Sequence, residues 1–227
     1  VTGAGDPTIQ GFATDISVNR GETVQFKVDT DAAEYRIDVY RLGYYGGLGA
    51  RKMATVLPSA TLPQSQPECL FVEATRLVDC GNWALSASWD VPANATSGIY
   101  VARLVRTDTS GASHVVFVVR DDASSSDLLF QTSDTTWQAY NAYGGYFIEY
   151  PDYGPGSTRA FKASYNRPFL TRQLNNGLGS FNFLFHAEYP MVRWLEANGY
   201  DVTYFTGVDA DRRGELIARH KAYLSVG

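Results

Sequence analysis

One change of rhythm constrains this chain more than any other feature. Up to residue 121 apolar residues alternate with polar ones; beyond it they recur at helical spacing. In Glu22–Val28 the apolar Val24, Phe26 and Val28 alternate with Gln25 and Lys27. In Tyr35–Leu42, Tyr35, Ile37, Val39 and Arg41 face one way, and Arg36, Asp38 and Tyr40 the other. A period of two puts one side of the backbone in a core and the other in water, so such segments form strands. Trp83–Pro92, Gly98–Asp108 and Gly111–Asp122 repeat the pattern, with turn signals about every 8–12 residues. That is the pattern of an antiparallel β-sandwich of the immunoglobulin or fibronectin III kind. Asn19-Arg20-Gly21 and Thr109-Ser110-Gly111 read as hairpin turns, and Gly46-Gly47 as another tight turn.

The small polar stretch Asp121–Asp127 (DDASSSD) marks a boundary, giving a sandwich over 1–122 and a second unit over 123–227. Leu128–Ser133 reads as a strand. His186–Tyr200 reads as a helix, with Met191, Val192, Trp194 and Leu195 on its period, Pro190 in the first turn and Gly199 closing it. Asp201–Thr206 is a strand, Asp209–His220 a helix capped by Asp209 or Asp211, and Lys221–Gly227 a strand. Strand–helix alternation predicts a parallel sheet with helices on its faces, an α/β architecture. About four strands with one face incompletely covered make a small sheet, and the α/β unit is expected to continue past Gly227.

Composition narrows the function. The chain has 227 residues, 44% hydrophobic and 19% charged, with a formal net charge of −5, so a phosphate-binding surface and a nucleic-acid partner are not expected. No apolar run approaches the ~20 residues that span a bilayer. Ten residues separate Cys69 from Cys80, a hairpin-scale loop for one disulfide, with a pair of reduced buried thiols as the alternative. That pair, four lysines and many Ser, Thr, Tyr and Gly residues suit a secreted or extracytoplasmic protein. The sandwich itself shows no site and reads as scaffold or a homo-oligomer contact.

The chemistry concentrates after residue 127. Leu128–Tyr146 runs from a strand into a loop dense in Asp, Thr, Trp, Tyr and Asn, with Gly144 and Gly145 for a tight turn. Such a loop at the carboxyl edge of an α/β sheet is either a binding site or a packed Ω-loop. Two further segments should meet it. Ser164–Phe169 (SYNRPF) follows an expected strand over 159–164, and His186–Pro190 (HAEYP) opens the first helix. No GxSxG, GxxxxGK[ST], HExxH or GxGxxG pattern is present. Tyrosine and carboxylate converge instead. Phenolate and carboxylate oxygens suit trivalent iron, which can polarise a carbonyl and acidify water. Ordinary core and rim tyrosines are the competing reading.

QTSDTTWQAYNAYGG, KASYNRPF and AEYPMVRWLEANGYDVTYFTGVD together resemble the C-terminal domain of the N,N-dimethylformamidase large-subunit (β-subunit-like) family. RIDVYRLGYYGGLGAR, LVDCGNWALSASWDVP and SGIYVARL resemble the β-sandwich that precedes it in exported members. The resemblance covers essentially the whole chain. It implies a fold like that of glutamine amidotransferases, hydrolysis of an N-substituted amide, and a mononuclear iron held by two tyrosines and a glutamate. Tyr140 and Tyr189 are the first choices for the tyrosine ligands, with Tyr165 in reserve. The glutamate is expected in a segment after Ser225-Val226-Gly227, and Glu188 is its substitute within this chain.

The expectation is therefore part of an iron-dependent amidohydrolase acting on the C–N bond of a small amide. Asp134, Trp137 and Tyr143 would line the substrate, and Asn141 or Arg167 would orient it, with Glu188 in the catalytic set. Arg167 could equally bridge to Asp134 or Glu188, and Asp134 could equally be a loop cap. The rival is a non-catalytic exported protein that stacks sugars or another polymer on Tyr44, Tyr45, Trp137, Tyr143, Tyr146, Tyr150 and Tyr153.

Overall fold

A computed structural model describes residues 5–146, 148, 159–170, 183–186 and 188–226. The first ten strands are β1 (Ile9–Ala13), β2 (Ser17–Asn19), β3 (Thr23–Thr30), β4 (Tyr35–Leu42), β5 (Ala50–Val56), β6 (Leu70–Val72), β7 (Leu77–Asp79), β8 (Ala87–Asp90), β9 (Gly98–Arg106) and β10 (Ala112–Arg120). There follow β11 (Leu128–Gln131), α1 (Asp134–Ala139), α2 (Glu188–Ala197), β12 (Val202–Phe205), α3 (Gly207–Arg212) and β13 (Ala222–Ser225).

Two sheets, ordered β1-β3-β8 and β2-β10-β9-β4-β5, pack face to face. Val24, Phe26 and Val28 of β3, and Ile37 and Val39 of β4, point into their shared core, as the alternation requires. Tyr100, Leu104, Val115 and Phe117 meet them from β9 and β10. Burying one such side chain contributes about 1.5–3 kcal/mol. Thr109-Ser110-Gly111 turns β9 into β10 as an antiparallel hairpin. Asn19-Arg20-Gly21 does not make a hairpin. β2 pairs parallel with β10 and β3 pairs with β1, so that turn carries the chain from one sheet to the other.

β9 and β10 are buried on both faces. Ile99, Val101, Val116 and Val118, with Leu42, form a second core against Phe130, Trp137, Phe169, Phe183, Leu184, Val192, Leu195 and Tyr204. The five-stranded sheet is thus a middle layer, and the segment after residue 127 covers its outer face. Charged groups rim this second core. Arg41 grips Glu196 of α2 through two bonds, at 2.7 and 3.2 Å, and Tyr204 donates to the same carboxylate at 3.1 Å. Arg120, 2% exposed, bonds Asp122 at 2.9 Å and Ser17 Oγ at 2.8 Å and lies 3.4 Å from Asp209. The polar stretch beginning at Asp121 is therefore tied on both sides rather than left as a free linker.

The parallel sheet is present, in the order β12-β11-β13 with β11 central. α2 (Glu188–Ala197) is closed as expected by Gly199, whose φ of 72° favours a residue without Cβ; Tyr200 N reaches Leu195 O at 3.1 Å and Gly199 N reaches Glu196 O at 3.2 Å. Four local expectations are corrected. The segment after β11 is not an open loop: it folds into α1. Residues 159–164 form no strand. The helix expected over 209–220 is α3 followed by a separate 3-10 turn, Gly214–Arg219. Its cap is Thr206, paired reciprocally with Asp209 in a capping box, so Asp209 sits inside the helix. Among the described residues no helix is long and apolar enough to cross a membrane.

Candidate functional site at the carboxyl edge of the parallel sheet

β11 ends at Gln131, and the next three residues turn its chain into α1. Thr132, Ser133 and Asp134 are all buried there. Ser133 donates its backbone N–H (2.8 Å) and its hydroxyl to Glu188 Oε1. Trp137 Nε1, one turn into α1, donates to the same oxygen at 3.0 Å. Glu188 is the first residue of α2, so its carboxylate also sits at a helix N-terminus, where negative charge is favoured. Its other oxygen, Oε2, is buried with no hydrogen-bond partner among the described residues. Burial pushes the Glu188 carboxyl up, and the bonds from Ser133 and Trp137 only partly offset it.

A second buried carboxylate follows Ser133 in the chain. Asp134 Oδ1 accepts from Thr132 Oγ1 at 3.0 Å and from the backbone N–H of Gly207 at 2.5 Å; Oδ2 accepts from the Tyr165 hydroxyl at 2.7 Å. Gly207 opens α3, so this one side chain ties the carboxyl ends of β11 and β12 together. Burial raises its carboxyl too, against those three bonds. Burial and the facing Asp134 raise the Tyr165 phenol, which is held protonated as a donor. A narrow apolar crevice lined by Phe12, Ile16, Val116, Gln138, Tyr165 and Phe169 runs alongside.

Arg167 bridges to neither Asp134 nor Glu188. Its guanidinium, 2% exposed, donates to four carbonyls: Ser164 O (3.1 Å), Tyr143 O (3.1 Å), Tyr146 O (3.3 Å) and Gln138 O (3.0 Å). Burial pulls it down to about 10. Asn141, fully buried, ties the same loops: Nδ2 donates to Pro168 O at 2.9 Å, and Oδ1 accepts from Tyr143 N at 3.2 Å and Leu170 N at 3.1 Å. Tyr143 packs against Phe12, Cys80 and Trp83, and burial pushes its phenol up to about 12. Trp137 lies in the core. It is 0% exposed and edge-on to Phe169 and Phe183. Cys69 and Cys80 are disulfide-bonded.

The three tyrosines chosen for a metal are engaged differently. Tyr165 donates to Asp134, Tyr189 donates to Gly49 O at 2.8 Å, and Tyr140 is the half-buried C-cap of α1. Among the described residues no three His, Cys, Asp or Glu side chains are arranged around a point that would hold a metal. A phenol that donates a hydrogen bond keeps its proton, and a metal needs it lost. As placed, Tyr165 and Tyr189 spend their hydroxyls on different partners, and binding iron would require those protons to be released. The polymer-stacking reading loses Trp137 to the core, and its Tyr150 and Tyr153 lie outside the described residues. Sequence reasoning missed Thr132, Ser133 and Gly207. Ser133 and Gly207 bond partners far along the chain that no local pattern announces, while Thr132 bonds Asp134 only two residues away.

A family model described as N,N-dimethylformamidase beta subunit-like, C-terminal, matches residues 36–227. No curated protein matches the chain. Among solved structures, domain 1 of VCBP3 from Branchiostoma floridae is 14% identical with a TM-score of 0.30, over 52% of this chain and 97% of that one. The cellulose-active LPMO CelS2 with copper is 11% identical with a TM-score of 0.27, over 46% and 52% of the two chains. A cellulose-active polysaccharide monooxygenase from M. thermophila is 16% identical with a TM-score of 0.26, over 52% and 60%. Likenesses this distant carry no argument about this chain.

Proposed function

Because the chain belongs to the N,N-dimethylformamidase beta subunit-like family, we propose that it supplies an amidohydrolase-type site, acting on the C–N bond of a small or N-substituted amide, at the carboxyl edge of its parallel sheet. The order β12-β11-β13 is that of the first three strands of a doubly wound sheet, of which the glutamine amidotransferase-like fold is one form. In such sheets a ligand sits outside the carboxyl ends of the strands where the connections part, between β11 and β13. The observation that carries the reading is Glu188: a buried carboxyl beside the end of β11, with one oxygen bonded three times and the other without a partner among the described residues.

A carboxyl raised by burial is suited to proton transfer near neutral pH. Glu188 Oε2 would take a proton from the attacking water as its oxygen bonds to the amide carbon. The same proton would pass to the amine nitrogen as the C–N bond breaks. Asp134 holds Tyr165 as a protonated donor, which would polarise the amide oxygen once turned toward it. The iron implied by the family resemblance would be held by Tyr140 and Tyr189, with Tyr165 in reserve, together with a glutamate, and would supply Lewis acidity at the carbonyl; here Tyr165 and Tyr189 donate to Asp134 and Gly49 O. The Cys69–Cys80 bond supports an oxidising, extracytoplasmic location.

Amine release from a panel of formamides and acetamides, with metal content assayed in parallel, tests the proposal. Glu188→Gln should lower kcat/KM by about 10²–10⁴-fold while the protein stays folded. Hydrolysis that survives in Glu188→Gln and Tyr165→Phe would place the chemistry elsewhere.

A further inference from the structure

A separate hairpin, β6-β7, lies against the loops that carry Tyr143–Tyr146 and Tyr165. β6 and β7 pair only with each other among the described strands, and Cys69–Cys80 closes their open end, one residue beyond the Leu70–Asp79 pair. A lone two-stranded hairpin is marginally stable in water, so this cross-link keeps it formed. The hairpin grips both loops that carry the candidate residues. Cys80 N donates to Asn166 O at 2.7 Å. Asp79 Oδ2 accepts from Ser164 Oγ at 2.5 Å and from Asn166 Nδ2 at 3.3 Å, while Oδ1 accepts from Gly81 N at 2.6 Å. Phe161 N reaches Thr75 O at 2.9 Å, and Phe71 stacks on Tyr146 with ring centroids 5.2 Å apart. Between Ser164 and Asn166 stands Tyr165, the donor to Asp134; next to Asn166 stands Arg167, which holds the Tyr143–Tyr146 turn.

We propose that Asp79 and the Cys69–Cys80 bond form a redox-dependent clasp that positions Tyr165 against Asp134. An external dithiol breaks the S–S bond, leaves two thiols on the chain and is itself carried to a cyclic disulfide. The hairpin then loses its closure, and Asp79 and Cys80 N no longer hold Ser164 and Asn166 in register. Tyr165 swings off Asp134 while the sandwich core stays packed. The clasp rests on the amidohydrolase reading only in making Tyr165 part of a reactive edge. Its test involves no turnover, so the two fail separately.

Tyrosine labelled with carbon-13 at Cζ reports the test, with Tyr165→Phe assigning the Tyr165 resonance. Three samples are compared: oxidised wild type, wild type reduced with dithiothreitol, and Asp79→Asn with the disulfide intact. The Tyr165 resonance should shift in both perturbed samples and that of Tyr100, in the sandwich core, in neither. Amide exchange over 160–169 should rise about tenfold in both, with 98–120 unchanged. A Tyr165 resonance and a 160–169 exchange rate unmoved by Asp79→Asn overturn the clasp. So does reduction that speeds exchange equally over 98–120, since the bond would then serve the whole fold.

Discussion

The two faces of the five-stranded sheet meet two different kinds of core. The inner face packs on β1-β3-β8 through an apolar centre, with the buried Ser86 hydroxyl on Val28 N and a buried cation at its edge, Arg106, bonded to Asp31 and Asp108. The outer face packs on the parallel sheet and α2 through a similar apolar centre, but its rim holds Arg41, Glu196, Arg120, Asp209, Glu188, Asp134 and Arg167, all buried or nearly so. Apolar burial is non-directional and tolerates many arrangements; buried charge is stable only in a bonded geometry. The inner core therefore supplies cohesion, while the outer one fixes a single placement of the C-terminal segment and leaves strained proton equilibria at its edge.

Truncation at the two centres should bring out what they share. Trp137→Ala and Phe117→Ala each remove a fully buried ring and should cost about 3–5 kcal/mol in denaturant unfolding. A cost under about 1 kcal/mol for Trp137→Ala would show that the outer core is not a core. Charge should separate them. Glu196→Ala strands Arg41 in a buried place and should cost about 3 kcal/mol, most of it regained in the Arg41→Met/Glu196→Ala double variant. Failure of the double variant to recover would mean that the pair is more than a placement device.

Gly144→Ala has a smaller expected effect, about 1–2 kcal/mol. Its φ is 80°, and an added Cβ would lie 2.7 Å from Val78 Cγ1. The loss should appear in the turn and the hairpin, and sandwich amides should be unaffected by hydrogen exchange. The smallest effect is one of pH. The folded state holds a proton on Glu188 above the ordinary carboxylate range, so its burial costs nothing in acid and progressively more as pH rises past the unfolded value near 4. Glu188→Gln lacks that slope, and its stability relative to wild type should grow from pH 4 to 7. A constant difference would show that the carboxyl is not raised.

What could be read from the residues follows the same division. The alternation of Val24, Phe26 and Val28 needs only nearest neighbours, and the structure keeps it. The near-continuous apolar run Ile99–Val105 already signalled cover on both faces, and reading it as an ordinary sandwich strand missed that. Asn19-Arg20-Gly21 reads as a hairpin because turn chemistry is local, whereas β2's partner lies about a hundred residues away in β10. α1 was hidden because six residues with one large apolar side chain carry no period. Asp134 and Glu188 were placed at this edge because a strand end and a helix start point there, whereas Tyr165 was placed by a strand over 159–164 that does not form. Arg167's four carbonyls and Ser133's grip on Glu188 depend on chain crossings that no spacing encodes.

The double cover of β9 and β10 bears on how the protein can be divided. A piece ending near residue 122 would expose Leu42, Ile99, Val101, Val116 and Val118 as one continuous greasy plane, with strands on either side to extend it. Such a surface invites self-association, so the amino-terminal part made alone is expected to aggregate or to need a chaperone, however complete its own sandwich.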